Sequence, residues 1–540
     1  MEEKSFFTKA DTLRGSITEF RKGWDVISYE LTIQPDIIAE TIEGKNTITY
    51  REDLPVYTMQ IDLQQPLVVD SITGNNNNYR FRRDNNVCYV YLRDSLAQYK
   101  FAPGIRKLTI YYHGRPKEAK RAPWDGGLVW SNDANKNPWI ATACQGLGAS
   151  VWWPCKDHQS DEPDSGMSVH IIAPDTLVAI SNGRLQNVTS SKGGYKTWTW
   201  QVKNPINSYD VTMNIGKYTH WSDTLMGEGG KLDLEYWVLN DNLEKGKKQF
   251  QQIKPMIRSH EYWFGKYPFY EDSYKLVETP FLGMEHQSAV AYGNKFENGY
   301  LGKDLSGSGW GSKWDFIIIH ESGHEWFGNS ITSKDMADMW IHEGFTSYSE
   351  TLFTETMFGK KAAADYNYGI RKNIRNDKNV IGFYGVNKEG SGDMYYKASN
   401  MLNIIRQSIN EDTKFRNILR GLNATFYHET VTTRQIEDFI SKESGRDFSK
   451  VFDQYLRTTQ VPLLEYYFSK NKQKIFFRWT NCVSGFNLPI IIADKTEGFT
   501  ITPTQTWKNV SLPKNFSSAA WADIIEKRYY VAMQQTKAQS

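Results

Sequence analysis

The sequence predicts a multidomain α+β protein. Three observations carry that prediction: a long stretch of alternating apolar residues up to about Gly216, a change to helical spacing from about Leu243, and a return to short alternating runs after Pro462. At roughly 100–200 residues per domain, a chain of 540 residues allows three or four domains. Hydrophobic residues make up 39% and aromatics 14%, which is ample for packed cores and far from the composition of disordered chains. Lys and Arg number 64 against 62 for Asp and Glu, so the formal charge of +2 creates no global field to hold nucleic acid or an anionic membrane surface. Any decisive charge is local.

In the first stretch, Ile27, Tyr29, Leu31 and Ile33 share one strand face, as do Leu108, Ile110 and Tyr112, and Trp198, Trp200 and Val202. This region reads as antiparallel β. Further on, Phe250, Ile253, Ile257 and Phe264 mark an amphipathic helix despite Pro255 within it, and helical character continues to about Arg457. The runs Leu464–Phe468 and Ile475–Trp479 then read as strands. The longest apolar runs, such as Phe316–Ile319 and Leu488–Ile492, fall far short of the ~20 residues of a membrane-spanning helix. The N-terminus, Met1-Glu2-Glu3-Lys4, develops no apolar leader, so the expected location is cytoplasmic, or periplasmic or secreted if a signal peptide has been removed. Cys88, Cys144, Cys155 and Cys482 form no close-set pairs, and free buried thiols are expected, with a Cys144–Cys155 bridge the alternative in an oxidising compartment.

Of only 10 histidines, His286, His320, His324 and His342 cluster together. His320-Glu321-Ser322-Gly323-His324 is H-E-x-x-H. On a helix, positions i and i+4 lie about 40° apart, so both imidazoles leave one face a turn apart and can bind Zn²⁺. Gly323 weakens the helix and lets another group come close. A catalytic zinc takes three protein ligands and leaves a position open. The metzincin pattern is excluded because Phe327 and Ser330 stand where it needs Gly and His. Glu343, nineteen residues after His324 in a second helical segment, completes a two-histidine, one-glutamate set. Glu350, seven residues further along that segment, is a candidate to orient a ligand histidine.

The run from His320 to Asn329, followed by Trp340-Ile341-His342-Glu343-Gly344-Phe345 and Tyr348, closely resembles the gluzincin aminopeptidases, the family of aminopeptidase N and leukotriene hydrolase. Phe264-Gly265-Lys266-Tyr267-Pro268-Phe269, and Gln145 with Pro154-Cys155-Lys156-Asp157, extend the likeness over most of the chain. The resemblance implies an N-terminal antiparallel β saddle domain (1–220), a thermolysin-like, mainly α catalytic domain (221–460) and a small C-terminal β-sandwich (461–540). The family's G-x-M-E-N motif falls on Leu282-Gly283-Met284-Glu285-His286, with Leu282 for the first Gly and His286 for Asn. By resemblance Glu285 holds a substrate's α-ammonium, assisted by Gln145, and Gly283 and Met284 line the substrate. Asp393-Met394-Tyr395-Tyr396-Lys397-Ala398 resembles the family's Y-x-K-G, which makes Tyr395 the oxyanion donor, with Tyr396 as the alternative and Ala398 in place of Gly.

Together these imply one Zn²⁺ per chain on His320, His324 and Glu343, with Glu321 as general base, and peptide substrates bearing a free N-terminal amine. A thermolysin-like endopeptidase and a non-catalytic scaffold are the alternatives. Only about 80 residues follow Pro462, so no long helical C-terminal domain is expected, and the cleft should be open to longer peptides.

Overall fold

The structure is a computed structural model that describes residues 7–74, 77–93, 102–492, 499–514 and 516–537; Met1–Lys4, read above for a leader, lies outside them. The first part of the chain builds an eight-stranded sheet in the order Arg184–Ser191, Tyr195–Val202, Met167–Pro174, Trp24–Asp36, Thr41–Glu52, Gly104–Gly114, Val68–Gly74, Asn77–Asn78. Its pairs are antiparallel except that Trp24–Asp36 runs parallel to Met167–Pro174. A β-bulge between Val26 and Ser28 resets the first strand. Val26, Tyr29, Leu31 and Ile33 therefore face the core, and Ile27, expected on that face, is only half-buried. A four-stranded sheet contains the pair Gly127–Asn132 and Pro138–Ala143; the turn after Ala143 carries Gln145.

The hairpin Tyr218–Gly227 and Gly230–Leu239 opens a five-stranded sheet, continued by Tyr274–Glu278, Val290–Tyr292 and, at its edge, Gly283–Met284. The helix expected around Pro255 is in two pieces. Leu243–Gln249 passes through a 3₁₀ turn, Phe250–Gln252, into Ile253–Phe264, which places Pro255 in a first helical turn. A missing N–H costs little there, because the first-turn donors have no intrahelical partner. Helices Phe316–Gly323, Trp340–Phe358, Lys360–Gly369 and Tyr396–Ile409 then pack around one continuous apolar core, flanked by Asp412–Thr425, Thr433–Ser444 and Ser449–Arg457.

The C-terminal region pairs Leu463–Phe468 with Lys474–Thr480 in a four-stranded sheet, beside a two-stranded sheet. It also contains a helix, Ser518–Arg528, where only strands were expected. Trp521 of this helix is buried and donates its indole N–H to the Ile491 carbonyl at 3.0 Å. The four cysteines are free thiols, three of them buried. Among the described residues no helix is long and apolar enough to cross a membrane.

Candidate active site

The helix carrying H-E-x-x-H, Phe316–Gly323, is fixed at its start by Asp315, whose carboxylate accepts from the Ile317 and Ile318 N–H groups at 3.1 and 3.3 Å. Tyr292 and Asn294 donate to the same carboxylate at 2.7 and 2.8 Å, tying the helix to the strand beside it. His324 follows the last helical residue with φ −63° and ψ −22°, so the two imidazoles still leave one face. Helix Trp340–Phe358 packs against this one. A β-carbon at Gly323 would lie 2.7 Å from Ser349 Oγ, so the glycine permits the close approach that brings Glu343 to the histidines.

Glu343 Oε2 lies 3.5 Å from His320 Nε2 and 3.4 Å from His324 Nε2. The outward-facing nitrogens are satisfied from behind. His320 Nδ1 meets Glu350 Oε1 at 2.7 Å; His324 Nδ1 lies 3.0 Å from the Phe327 carbonyl and 3.2 Å from Thr346 Oγ1. Those contacts assign the ring N–H to Nδ1 and leave each Nε2 lone pair aimed at the Glu343 carboxylate. Glu343 Oε2 is buried without a hydrogen-bond partner. Three converging donors, one of them an orphaned buried carboxylate oxygen, fit a metal ion, and two imidazoles with a carboxylate suit zinc.

Glu321, between the ligand histidines and nearly buried, has its carboxyl raised to about 7 by burial, against the pull of His320 and His324. Gly283 is required beside it: a β-carbon there would lie 2.7 Å from Ile317 Cγ2 and 3.2 Å from Glu321 Oε1. Oxygens of Glu285 and Glu321 and a nitrogen of His324 lie within 4.8 Å of one another. Gln145 donates to Glu285 Oε1 and reaches Glu343 Oε1 at 3.5 Å; Tyr209 donates to Glu285 Oε1 at 3.3 Å. Tyr395 donates its phenol to Glu343 Oε1 at 2.9 Å, and burial together with that carboxylate raises its pKa well above the ordinary value.

All nine residues singled out in the sequence thus lie in one neighbourhood, although Met284 differs in kind. Its side chain is buried among Ala141, Ala143, Tyr209 and Phe281, and its strand is the edge of its sheet. His286 is fully buried, and burial pushes its pKa down to about 3. His342 is no ligand: its Nε2 accepts from the Ser333 N–H at 2.8 Å. Sequence reading missed Tyr209, Thr346, Asn329, whose amide donates to the Glu285 carbonyl at 2.8 Å, and Tyr366, which donates to Glu350 Oε2 at 2.6 Å. Asn329 lies in the run that carries the family resemblance, and Thr346 lies in the helical segment of Glu343.

Two family models match, the Peptidase M1 N-terminal domain over residues 26–209 and the Peptidase family M1 domain over residues 248–455. The chain belongs to peptidase family M1. Its relatives include the "Probable aminopeptidase 2" of Sulfurisphaera tokodaii, 23% identical over 386 residues that span 68% of this chain and 46% of the relative. Aminopeptidase B of Mus musculus is 28% identical over 43% of this chain and 33% of its own length. Leukotriene A-4 hydrolase of Xenopus laevis is 23% identical over 59% and 52%. The chain spans about half or less of the length of these relatives. In fold, this M1 chain is similar to an M1 zinc metallopeptidase of Deinococcus radiodurans bound to a Tyr-Ser-Ala substrate, with a TM-score of 0.66 at 19% identity over 81% of this chain and 95% of the other. Among the described residues of this M1 chain, His320, His324 and Glu343 form a group able to hold a metal ion.

Proposed function

We propose that this M1 protein is a zinc aminopeptidase that hydrolyses the first peptide bond of substrates with a free N-terminal amine. The position of Glu285 carries the reading: it is a buried carboxylate within 4.8 Å of Glu321 and His324. A residue's amine nitrogen and carbonyl carbon are roughly 2.5 Å apart, so an ammonium held by Glu285 leaves room for one residue before the metal centre.

His320, His324 and Glu343 would hold the zinc. When bound, zinc supplies Lewis acidity that brings the pKa of a water to about 7. Glu321, between the two histidines that would hold the metal, takes the proton of the attacking water and passes it to the departing amine. Tyr395 turns its phenol from Glu343 to the carbonyl oxygen as negative charge builds there. Gln145 and Tyr209 fix the Glu285 carboxylate, and the backbone of Gly283–Met284, last in its sheet, is available to an extended peptide. An endopeptidase would need an open subsite where Glu285 stands, and a scaffold would have no need of Glu321 between two metal-binding histidines.

The test compares an aminoacyl anilide with its N-acetylated twin, before and after chelation and zinc add-back. The free amine should be cut at least a hundredfold faster, and the activity should follow the metal. Equal rates on the two substrates, or an unchanged rate without metal, would overturn the reading.

A further inference from the structure

The matched family region begins at residue 26, yet a short helix before it, Lys9–Gly15, reaches the site. Gly15 is the one buried residue of that helix, so hydrophobic burial is not what it contributes. Its contacts are polar. Arg14 donates through Nη1 to the Gly146 carbonyl at 3.1 Å, and its Nε lies 3.1 Å from Asp157 Oδ2. Asn387 donates to the same Gly146 carbonyl at 3.2 Å. Gly146 sits in the tight turn closed by the Gly148 N–H on the Cys144 carbonyl at 2.6 Å, and the residue before it is Gln145. The turn wraps the guanidinium so closely that a β-carbon at Gly148, where φ is +89°, would lie 2.1 Å from Arg14 Nη2. Buried Arg21 locks the helix end by donating to the Arg14 and Ser16 carbonyls at 2.8 and 3.0 Å while paired with Asp62. On the opposite side Gly15 presses on Val386, and the Asn387 N–H donates to the Asp11 carbonyl at 3.0 Å. The helix therefore clasps the Gln145 turn to the segment that leads to Tyr395.

We propose that Arg14 is a positioning residue for the amine anchor: it fixes the Gly146 carbonyl so that Gln145 reaches Glu285. The inference rests on the aminopeptidase reading. It is tested by steady-state kinetics of Arg14→Ala and Arg14→Lys on a free-amine anilide, and by calorimetric binding of leucinamide to the zinc-loaded Glu321→Gln protein with and without Arg14→Ala. Loss of a charge-assisted hydrogen bond should raise KM and weaken leucinamide binding roughly tenfold, with kcat within about twofold. Arg14→Lys should recover part of the loss, zinc content should stay at one per chain, and Lys9→Ala, at the exposed end of the helix, should behave as wild type. Unchanged KM and leucinamide affinity in Arg14→Ala, or a fall in kcat that tracks lost zinc, overturns the inference. A wild type inactive on the anilide removes the aminopeptidase reading and leaves the leucinamide comparison as the test of Arg14. No leucinamide binding by any variant removes the inference.

Discussion

Glu350 lies two helical turns beyond Glu343, and its carboxylate is shared between His320 Nδ1 and the Tyr366 phenol. That spacing was legible because seven residues on a helix return to the same face. Tyr366 and Tyr209 carried no such signal, because they meet the site through tertiary packing; Thr346, one turn after Glu343 on the same helix, had the spacing but no titratable group to mark it. Removing the charge behind His320 loosens the ligand, so Glu350→Gln should weaken zinc affinity 10–100-fold, measured by competition with a chromophoric chelator. The proposal of Tyr395 over Tyr396 as oxyanion donor also belongs to this scale, and it is supported by the Tyr395 phenol reaching Glu343. Tyr395→Phe should lower kcat by about 10²–10³ with zinc retained, the usual effect of losing one oxyanion donor. Tyr396→Phe should stay within a few-fold of wild type in the same assay.

Between elements, glycines set the distances. A β-carbon at Gly344 would lie 2.7 Å from the Ala398 β-carbon, so the helix that carries Glu343 and the helix that follows Tyr395 touch at this pair. The family's Gly at position 398 is Ala here, and the contact explains how it is accommodated: Gly344 supplies the missing space. Gly344→Ala should destabilise by about 1–3 kcal/mol through overpacking, and adding Ala398→Gly should restore most of the loss, read as Cm in urea unfolding. His260, on helix Ile253–Phe264, is buried against Phe264 and Trp326, 3.4 Å from the Ile319 carbonyl, and burial pushes its pKa down to about 4. Above pH 6.5 the imidazole is neutral in both states. As pH falls from 6.5 towards 4 the unfolded chain takes a proton that the fold refuses, so stability drops by up to about 3 kcal/mol. His260→Gln should flatten that part of the stability profile. Element type was largely readable from periodicity, whereas the bulge at Val26 and the three-residue break at Phe250–Gln252 were not, because each is a short event inside a continuing pattern. The helix Ser518–Arg528 did carry a signal, Ser517 as N-cap and Trp521 and Ile525 four apart, in a short segment between strand-like runs.

Across the whole molecule, the site is assembled from distant stretches of chain. Gln145 and Tyr209 come from the N-terminal β region, Glu285 from the residue just after an edge strand, the zinc set from two helices and Tyr395 from the turn before a third. The near-neutral charge balance hides this concentration of carboxylates and imidazoles around one centre. Because zinc binds the folded arrangement and not the unfolded chain, chelation should lower the melting temperature, and stoichiometric zinc should restore it. The most direct measurement is mass spectrometry of a defined pentapeptide, and of its N-acetylated twin, digested by the zinc-loaded protein. The account predicts a ladder shortened one residue at a time from the free N-terminus, with the acetylated twin left intact. Internal fragments, or cleavage of both peptides alike, would contradict it.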